Sequence, residues 1–352
     1  MITVQFKLLP TPEQAELLRL TSMEFIKSVN DLVSYLDQQS ATPKLSSASF
    51  EAKLPSAVKS EVVNTAKSVY RKYRRGKCKS MPILKKPIIQ WNNQNYRVKE
   101  NSIEFPLWIN GKSQRIAVNA IITEYQAQRL TGKLGSLRIT PKNGKWIAQV
   151  AVEAPIAETS GNRTMGVDLG LKIPAVAVTD EGHTQFFGNG RQNKYMKRQF
   201  RAKRQKLGKA KKQKVIKKLN NKEQRWMKDK DHQVSRDIVN YAKSNHVSVI
   251  RLEQLQNIRN TARTSRKNEK NLHTWSFYRL ASFIEYKANL DGIAIEYVNP
   301  AYTSQTCPSC GKLNHAHGRK YKCPCGYLSH RDRVGAINII SAPVVVGNRQ
   351  PA

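Results

Sequence analysis

The sequence predicts a multidomain chain of α/β plus all-β class: a β module interrupted early by helices, then an α/β domain carrying a small cysteine-bearing insertion. Three observations predict it. A lone N-terminal strand runs into helical periodicity that lasts through the first ~90 residues. Short strands separated by Asn, Gly, Lys and Pro follow as far as residue 157. From about residue 160 onward, strands and helices alternate in the manner of an α/β domain.

In chain order, "ITVQFKLL" alternates as a strand does and ends at Pro10 and Pro12. From Glu13 to about Leu36, Leu17, Leu20, Met23, Phe25, Ile26, Val29, Leu32, Val33 and Leu36 recur at helical spacing. Residues 37–49 are Ser/Thr-rich and loop-like, and "PSAVKSEVVNTAKSVYRKYRRGK" returns to helical periodicity with a basic end. "KKPIIQW", "YRVKENSIEFPL", "QRIAVNA" and "LGSLRITPKNGKWIAQVAVEAP" then read as the strands of a meander or small barrel. "TSGNRT" marks a boundary, and "MGVDLGLKIPAVAVTDEGHTQFFGN" supplies two or three consecutive strands. Residues 191–230 are helix-forming, and "DHQVSRDIVNYAKSN" continues as helix. "VSVIRLEQL" and "IAIEYVNP" read as strands around the amphipathic helix "SFYRLASFIEYKANLDG". "RNTARTSRKNEKN" reads as a mobile polar loop, and Trp275 and Phe277 as core residues.

Charge narrows the partners. Sixty-one Lys plus Arg against 25 Asp plus Glu leave a net +36, a field that draws in polyanions, nucleic acid first. A membrane-surface protein shares that sign but needs an amphipathic anchor, and no apolar stretch of spanning length is present. "MITVQFKLLPTPEQ" lacks a basic lead into an apolar core, so the expected setting is the cytosol, without a targeting segment. Residues 191–230 hold 18 basic residues against Glu223 and Asp229. A solvated helical face is one reading; self-repulsion of this size favours the other, neutralisation by phosphates. Tyr195, Phe200 and Trp226 lie within that run, suited either to stacking on bases or to packing between helices, with packing favoured for Trp226.

Five cysteines, four of them within 19 residues, argue against disulfides spread over the fold and for a local metal site in a reducing compartment. Cys307-Pro-Ser-Cys310-Gly and Cys323-Pro-Cys325-Gly can close a tetrahedral, structural zinc site. The second pair is tighter than the usual two-residue gap. His315 and His317 are alternative ligands that read better as exposed loop residues.

Three acids sit at element edges in the α/β part: Asp168 at the end of the strand in "MGVDLGL", Glu253 at the end of "VSVIRLEQL", and Asp332 at the start of the last helix. Each alone fits a cap or a salt-bridge partner, an N-cap above all for Asp332. Together they fit a converging set held by hard divalent cations, magnesium being the usual one beside phosphates. Two such ions suit in-line attack on a phosphodiester.

"GVDLG", "RLEQLQN", "YKANLDGIAIEYVNPAYTSQTCPSCG" and "YKCPCGYLSHRDRVGAINI" together resemble the TnpB family, transposon-encoded RNA-guided nucleases related to type V CRISPR effectors and Fanzor proteins. The resemblance runs from about residue 160 to 341, with "AYTSQTCPSCG" its most diagnostic piece. It implies a β-barrel wedge domain (residues 1–10 and 88–157), a helical recognition domain (11–87) and a RuvC-like nuclease domain of RNase H fold (158–352) with a zinc ribbon inserted at 302–329. Asp168, Glu253 and Asp332 match the family's three catalytic acids, so two magnesium ions and one zinc ion are the implied cofactors. His330 stands where many relatives carry a further acid.

The implied activity is metal-dependent DNA cleavage after a guide RNA pairs with double-stranded target DNA, by one protein per RNA in the cytosol or nucleoid of a prokaryote. Backbone contacts to RNA or heteroduplex would come from Arg71, Arg74, Arg75, Lys197, Arg198, Arg201, Lys203, Arg204, Lys211 and Lys212. Arg331 and Arg333 are candidates to contact the scissile strand, with plain solvent exposure the equally open reading for Arg333. Three other readings stay open: a guide-independent RuvC-type nuclease, a transposase accessory protein, and a non-cleaving RNA-guided repressor, the last disfavoured by the presence of all three acids.

Overall fold

A computed structural model describes residues 1–39, 43–155, 157–158, 161–219, 221–255, 276–316 and 318–345. The chain divides into two compact units, Met1–Pro155 and Ile156–Ala352.

In the first unit β1 (Ile2–Leu9) is followed by α1 (Pro12–Gln38), α2 (Ser56–Arg74), β2 (Ile89–Trp91), β3 (Arg97–Lys99), β4 (Ser102–Ile109), β5 (Lys112–Ile121), α3 (Glu124–Leu130), β6 (Leu134–Lys142) and β7 (Lys145–Val152). Pro12 does not merely end β1. It occupies the first turn of α1, where its missing N–H costs nothing, behind a Thr11–Gln14 capping box. Strand β1 waits for partners more than a hundred residues away, pairing antiparallel with β7 from Ile2↔Val152 to Leu8↔Trp146 and with the end of β5. Asn110-Gly111 and Asn143-Gly144 both adopt left-handed backbone, the requirement of tight hairpin turns, and close β4–β5 and β6–β7.

The sheet order is β2-β6-β7-β1-β5-β4-β3, and no ladder joins β2 to β3. The expected barrel is therefore a half-barrel, open between these two edge strands. Alternate residues of β1 (Val4, Phe6, Leu8) share one core with Leu18, Phe25 and Val29 of α1 and Val58 and Val62 of α2. The short helix α3, which the periodicity of the sequence does not reveal, is also held by a capping box at Thr123.

In the second unit β8 (Arg163–Leu169), β9 (Ala175–Thr179) and β10 (Thr184–Phe187) precede α4 (Gly190–Lys209), α5 (Gln213–Leu219) and α6 (Lys222–Ser244). Then come β11 (Val247–Glu253), α7 (Phe277–Leu290), β12 (Ala294–Val298), β13 (Lys320–Lys322), β14 (Leu328–His330) and α8 (Arg331–Ser341). The sheet order is β10-β9-β8-β11-β12, with β8, β11 and β12 mutually parallel, β9 antiparallel to β8, and β10 antiparallel to β9. Helices α6 and α7 cover one face through Ile238, Val239, Ile284 and Ala288, and α8 covers the other through Ala336 against Val176 and Val178. The loop "RNTARTSRKNEKN" and Trp275 lie outside the described residues. Phe277 packs, half-buried, against the α6/α7 core. Among the described residues no helix is long and apolar enough to cross a membrane.

Candidate active site

Strand periodicity decides where the acids point. On β8, Met165, Val167 and Leu169 enter the α6/α7 core, so Gly166 and Asp168 face α8. On β11, Ile250 and Leu252 take the same core, leaving Arg251 and Glu253 on the α8 face. Leu252 lies opposite Val167 in parallel register, so Asp168 and Glu253 leave adjoining strands together at their carboxyl ends. Helix α8 packs close because β8 offers it glycine: a Cβ at Gly166 would lie 2.1 Å from the Ala336 carbonyl oxygen. In return, Gly335 of α8 makes room for Asp168, whose Oδ2 lies 3.1 Å from where a Gly335 Cβ would stand. Asp332 precedes Gly335 by three residues on the same helix face and is only 6% exposed.

These acids feel one another. Burial, and after it the charges of Glu253 and Asp332, hold the Asp168 carboxyl well above its ordinary range, with Arg331 and Arg319 acting in the opposite sense. Burial also raises Glu253, against a hydrogen bond donated by the Thr303 hydroxyl. Both oxygens of Asp332 accept from Nη1 of Arg319, in the turn before β13. Partly desolvated, mutually repelling carboxylates, with their oxygen ligands, fit a hard divalent cation. The N-cap reading of Asp332 is overturned: His330 caps α8, its Nδ1 accepting from the Asp332 N–H at 3.2 Å. The residue that stands in place of an acid thus frees Asp332 from backbone duty.

The four cysteines meet at the turn of the β13–β14 hairpin, which contains Cys323 and Cys325. Their sulfurs lie within 4.8 Å of one another, with Cys307–Cys325 at 3.7 Å and Cys310–Cys323 at 3.6 Å. Zinc–sulfur bonds of about 2.3 Å in a tetrahedron put sulfurs about 3.8 Å apart, so the donor set fits zinc despite the one-residue Cys323–Cys325 gap. Against the effect of burial, N–H groups of Cys310 and Ser309 bring the Cys307 thiol down to about 7, whereas burial and neighbouring thiols push Cys323 up to about 12 despite a Cys325 backbone hydrogen bond. Among the described residues this is the one His/Cys/Asp/Glu group so tightly clustered. His315 is exposed outside it, and His317 lies outside the described residues. Val334 of α8 packs on Cys307, Tyr321 and Cys323, so the cysteine hook rests on the helix that carries Asp332.

The basic residues divide. Arg71, Arg74 and Arg75 are exposed at the end of α2 in the first unit. In the second unit Arg198, Arg201 and Lys203 are exposed on α4, and Lys211 and Lys212 in the turn after it. Arg204 pairs with Glu223 at 2.6 Å. Lys197 is half-buried, its ammonium pKa lowered by burial and supported by Glu223 and Asp231. Arg331 is exposed and its charge reaches Asp168. Arg333 is instead a structural tie: Nε donates to Thr184 Oγ1 at 3.0 Å and Nη1 to the Tyr327 hydroxyl at 3.3 Å, joining β10 to the hairpin. Tyr195 is 58% exposed, while Trp226 is half-buried with Lys230 over its ring. Sequence reasoning missed Arg319, whose signal lies in hairpin register: Lys320 pairs with His330, which sets Arg319 beside the start of α8.

Comparison with known proteins follows the same two stretches. A family model described as "Probable transposase" matches residues 148–259, which include Asp168 and Glu253, and one described as "Cas12f1-like, TNB domain" matches 277–339, which include the four cysteines and Asp332. A TnpB-like protein of Methanocaldococcus jannaschii is 35% identical over 137 residues, 38% of this chain and 49% of that protein. These matches support a TnpB-family protein. The chain is also 28% identical to the CRISPR-associated endodeoxyribonuclease Cas12f1 of Sulfoacidibacillus thermotolerans over 51% of its length and 45% of the relative's. To the Cas12f1 of Syntrophomonas palmitatica it is 26% identical over 78% and 65%. It thus spans from about half to just under two thirds of these relatives. Its fold is that of a Cas12f1 solved with sgRNA and target DNA, at a TM-score of 0.66 and 17% identity, covering 92% of this chain and 81% of the other.

Proposed function

We propose that this chain is an RNA-guided DNA endonuclease in which Asp168, Glu253 and Asp332 form the catalytic centre of a RuvC-like domain. The observation that carries the reading is the convergence of three acids, Asp332 buried and Asp168 and Glu253 half-buried, from two parallel strands and the closing helix, at the carboxyl end of one sheet. Two magnesium ions held by these acids would activate the attacking water and stabilise the leaving oxygen of an in-line displacement. The chain's own work is to keep the carboxylates together against their repulsion, with α8 seated on Gly166 and the cysteine hook pinned seven residues before Asp332. Cys307, Cys310, Cys323 and Cys325 would hold one structural zinc ion, since four thiolates leave no open position for substrate.

The exposed cations of α4 and the turn after it would run along guide RNA or heteroduplex, reading backbone and A-form shape while base pairing supplies sequence choice. On this reading the half-barrel and its helices correspond to wedge and recognition domains. The test is purification of the chain with the RNA it retains, sequencing of that RNA, and cleavage of DNA matching its variable end in magnesium. Cleavage that follows the RNA sequence and disappears in Asp168→Ala supports the proposal. Cleavage indifferent to the RNA would point to a guide-independent nuclease, and an unchanged rate in Asp168→Ala would refute the catalytic assignment.

A further inference from the structure

The zinc ligands account for the cysteines of "AYTSQTCPSCG" but not for the residues ahead of them. Those residues form a tight turn. The Gln305 and Thr306 N–H groups both donate to the Tyr302 carbonyl at 2.9 Å, and Tyr302 itself sits at φ 62°, a left-handed conformation that a bulky side chain adopts only where its surroundings impose it. The next residue, Thr303, is only 5% exposed, and its hydroxyl donates to Glu253 Oε1 at 2.5 Å. The Pro300 carbonyl is a second acceptor at 3.2 Å, but a hydroxyl has one proton and the closer, charged acceptor makes the stronger bond.

The same turn is gripped from the other side. Asn338 of α8 donates through Nδ2 to the carbonyls of Thr303 and Thr306, each at 2.7 Å. Asn338 lies on the helix that carries Asp332. A continuous hydrogen-bonded path therefore runs from the helix of one acid, through Asn338 and the Thr303 backbone and hydroxyl, to the carboxylate of another.

We propose that Thr303 and Asn338 are positioning residues that lock the Glu253 carboxylate in register with the helix bearing Asp332, so that this turn serves the acid cluster rather than the cysteine site. The proposal rests on the reading of Asp168, Glu253 and Asp332 as the metal-binding acids. Without the hydroxyl, the Glu253 side chain is free to rotate about its own torsions and must be ordered by the cation itself. Loss of the Asn338 amide leaves the hydroxyl in place but releases the turn that aims it.

The test compares the full chain, carrying the RNA it retains, with Thr303→Val, Thr303→Ser, Asn338→Ala and Glu253→Ala. Binding of Mn²⁺ alone is followed by electron paramagnetic resonance, the Mg²⁺ concentration for half-maximal cleavage is measured in parallel, and zinc content and retained RNA report folding. Thr303→Val should weaken Mn²⁺ binding about 10-fold and raise the half-maximal Mg²⁺ concentration in step, with Thr303→Ser restored to within about 2-fold of the original chain and Asn338→Ala in between. Undiminished Mn²⁺ binding in both Thr303→Val and Asn338→Ala would overturn the proposal. So would equal loss in the valine and serine variants, since the hydroxyl would then not be the operative group. Glu253→Ala separates this from the underlying reading. If it still cleaves, the acid assignment itself fails; if it is dead while Thr303→Val and Asn338→Ala both bind metal normally, only the positioning role fails.

Discussion

Replacing Gly166 by alanine probes the packing on which the candidate site depends. The new Cβ would stand 2.1 Å from the Ala336 carbonyl oxygen, and real Cβ atoms essentially never come within 3.0 Å of a neighbour, so strand and helix must part by about 0.9 Å. The obstacle is helix backbone, which cannot swing aside as a side-chain tip does. Over-packing of this kind costs about 1–3 kcal/mol, more than the few tenths to about 1 kcal/mol gained by restricting the unfolded chain. Because α8 carries Asp332 and its packing partner β8 carries Asp168, the same displacement changes the separation of the two acids, and a misplacement near 1 Å can lower a rate by about 100-fold. The assay is thermal unfolding by calorimetry together with single-turnover cleavage of matched DNA in saturating Mg²⁺. Gly335→Ala is the milder control, since its Cβ meets a carboxylate oxygen at 3.1 Å that needs to give only a few tenths of an ångström. If Gly166→Ala melts and cleaves as the original chain does, the close seating of α8 is not what aligns the acids.

The raised Asp168 carboxyl has a signed consequence for stability. Above its ordinary value of 3.8 the unfolded chain releases this proton before the folded chain does, so folded stability falls as pH rises from 3.8 through the raised pKa. Without added divalent metal, Asp168→Asn should therefore melt above the original chain at neutral pH. The gap should shrink as pH is lowered toward 3.8, and a constant gap would contradict burial and carboxylate repulsion as its cause. Cys325→Ser should reduce zinc, measured by elemental mass spectrometry, from one per chain toward none, with loss of cleavage but retention of RNA. Full cleavage in a zinc-free chain would show that α8 does not need the hook. Changing Arg198, Arg201, Lys203 and Lys212 together to alanine should weaken RNA binding and flatten its dependence of log K on log salt by about 0.7 to 0.9 for each phosphate that is no longer neutralised. An unchanged slope would make that basic surface a solvated face after all.

What the sequence determined by itself was whatever is local. Periodicity marked α1 and the strands of both sheets, Asn, Gly, Lys and Pro marked the breaks between strands, and cysteine spacing marked the cluster of four thiols, because each depends on neighbours a few residues away. The edge positions of Asp168, Glu253 and Asp332 were legible for the same reason. Tertiary structure alone decided the rest, since it depends on partners distant in the chain. β1 pairs with a strand more than 130 residues later, and its half-barrel stays open between the edge strands β2 and β3. Parallel register between β8 and β11 set Asp168 beside Glu253, and hairpin register delivered Arg319 to Asp332. His330 could be recognised as the cap, Arg333 as a tie and Thr303 as the partner of Glu253 only once these elements had packed. The pattern of side chains specifies which face each element buries, but the distance between Asp168 and Asp332 is fixed by how closely one helix can approach one strand, and here that approach is set by the missing side chain of Gly166.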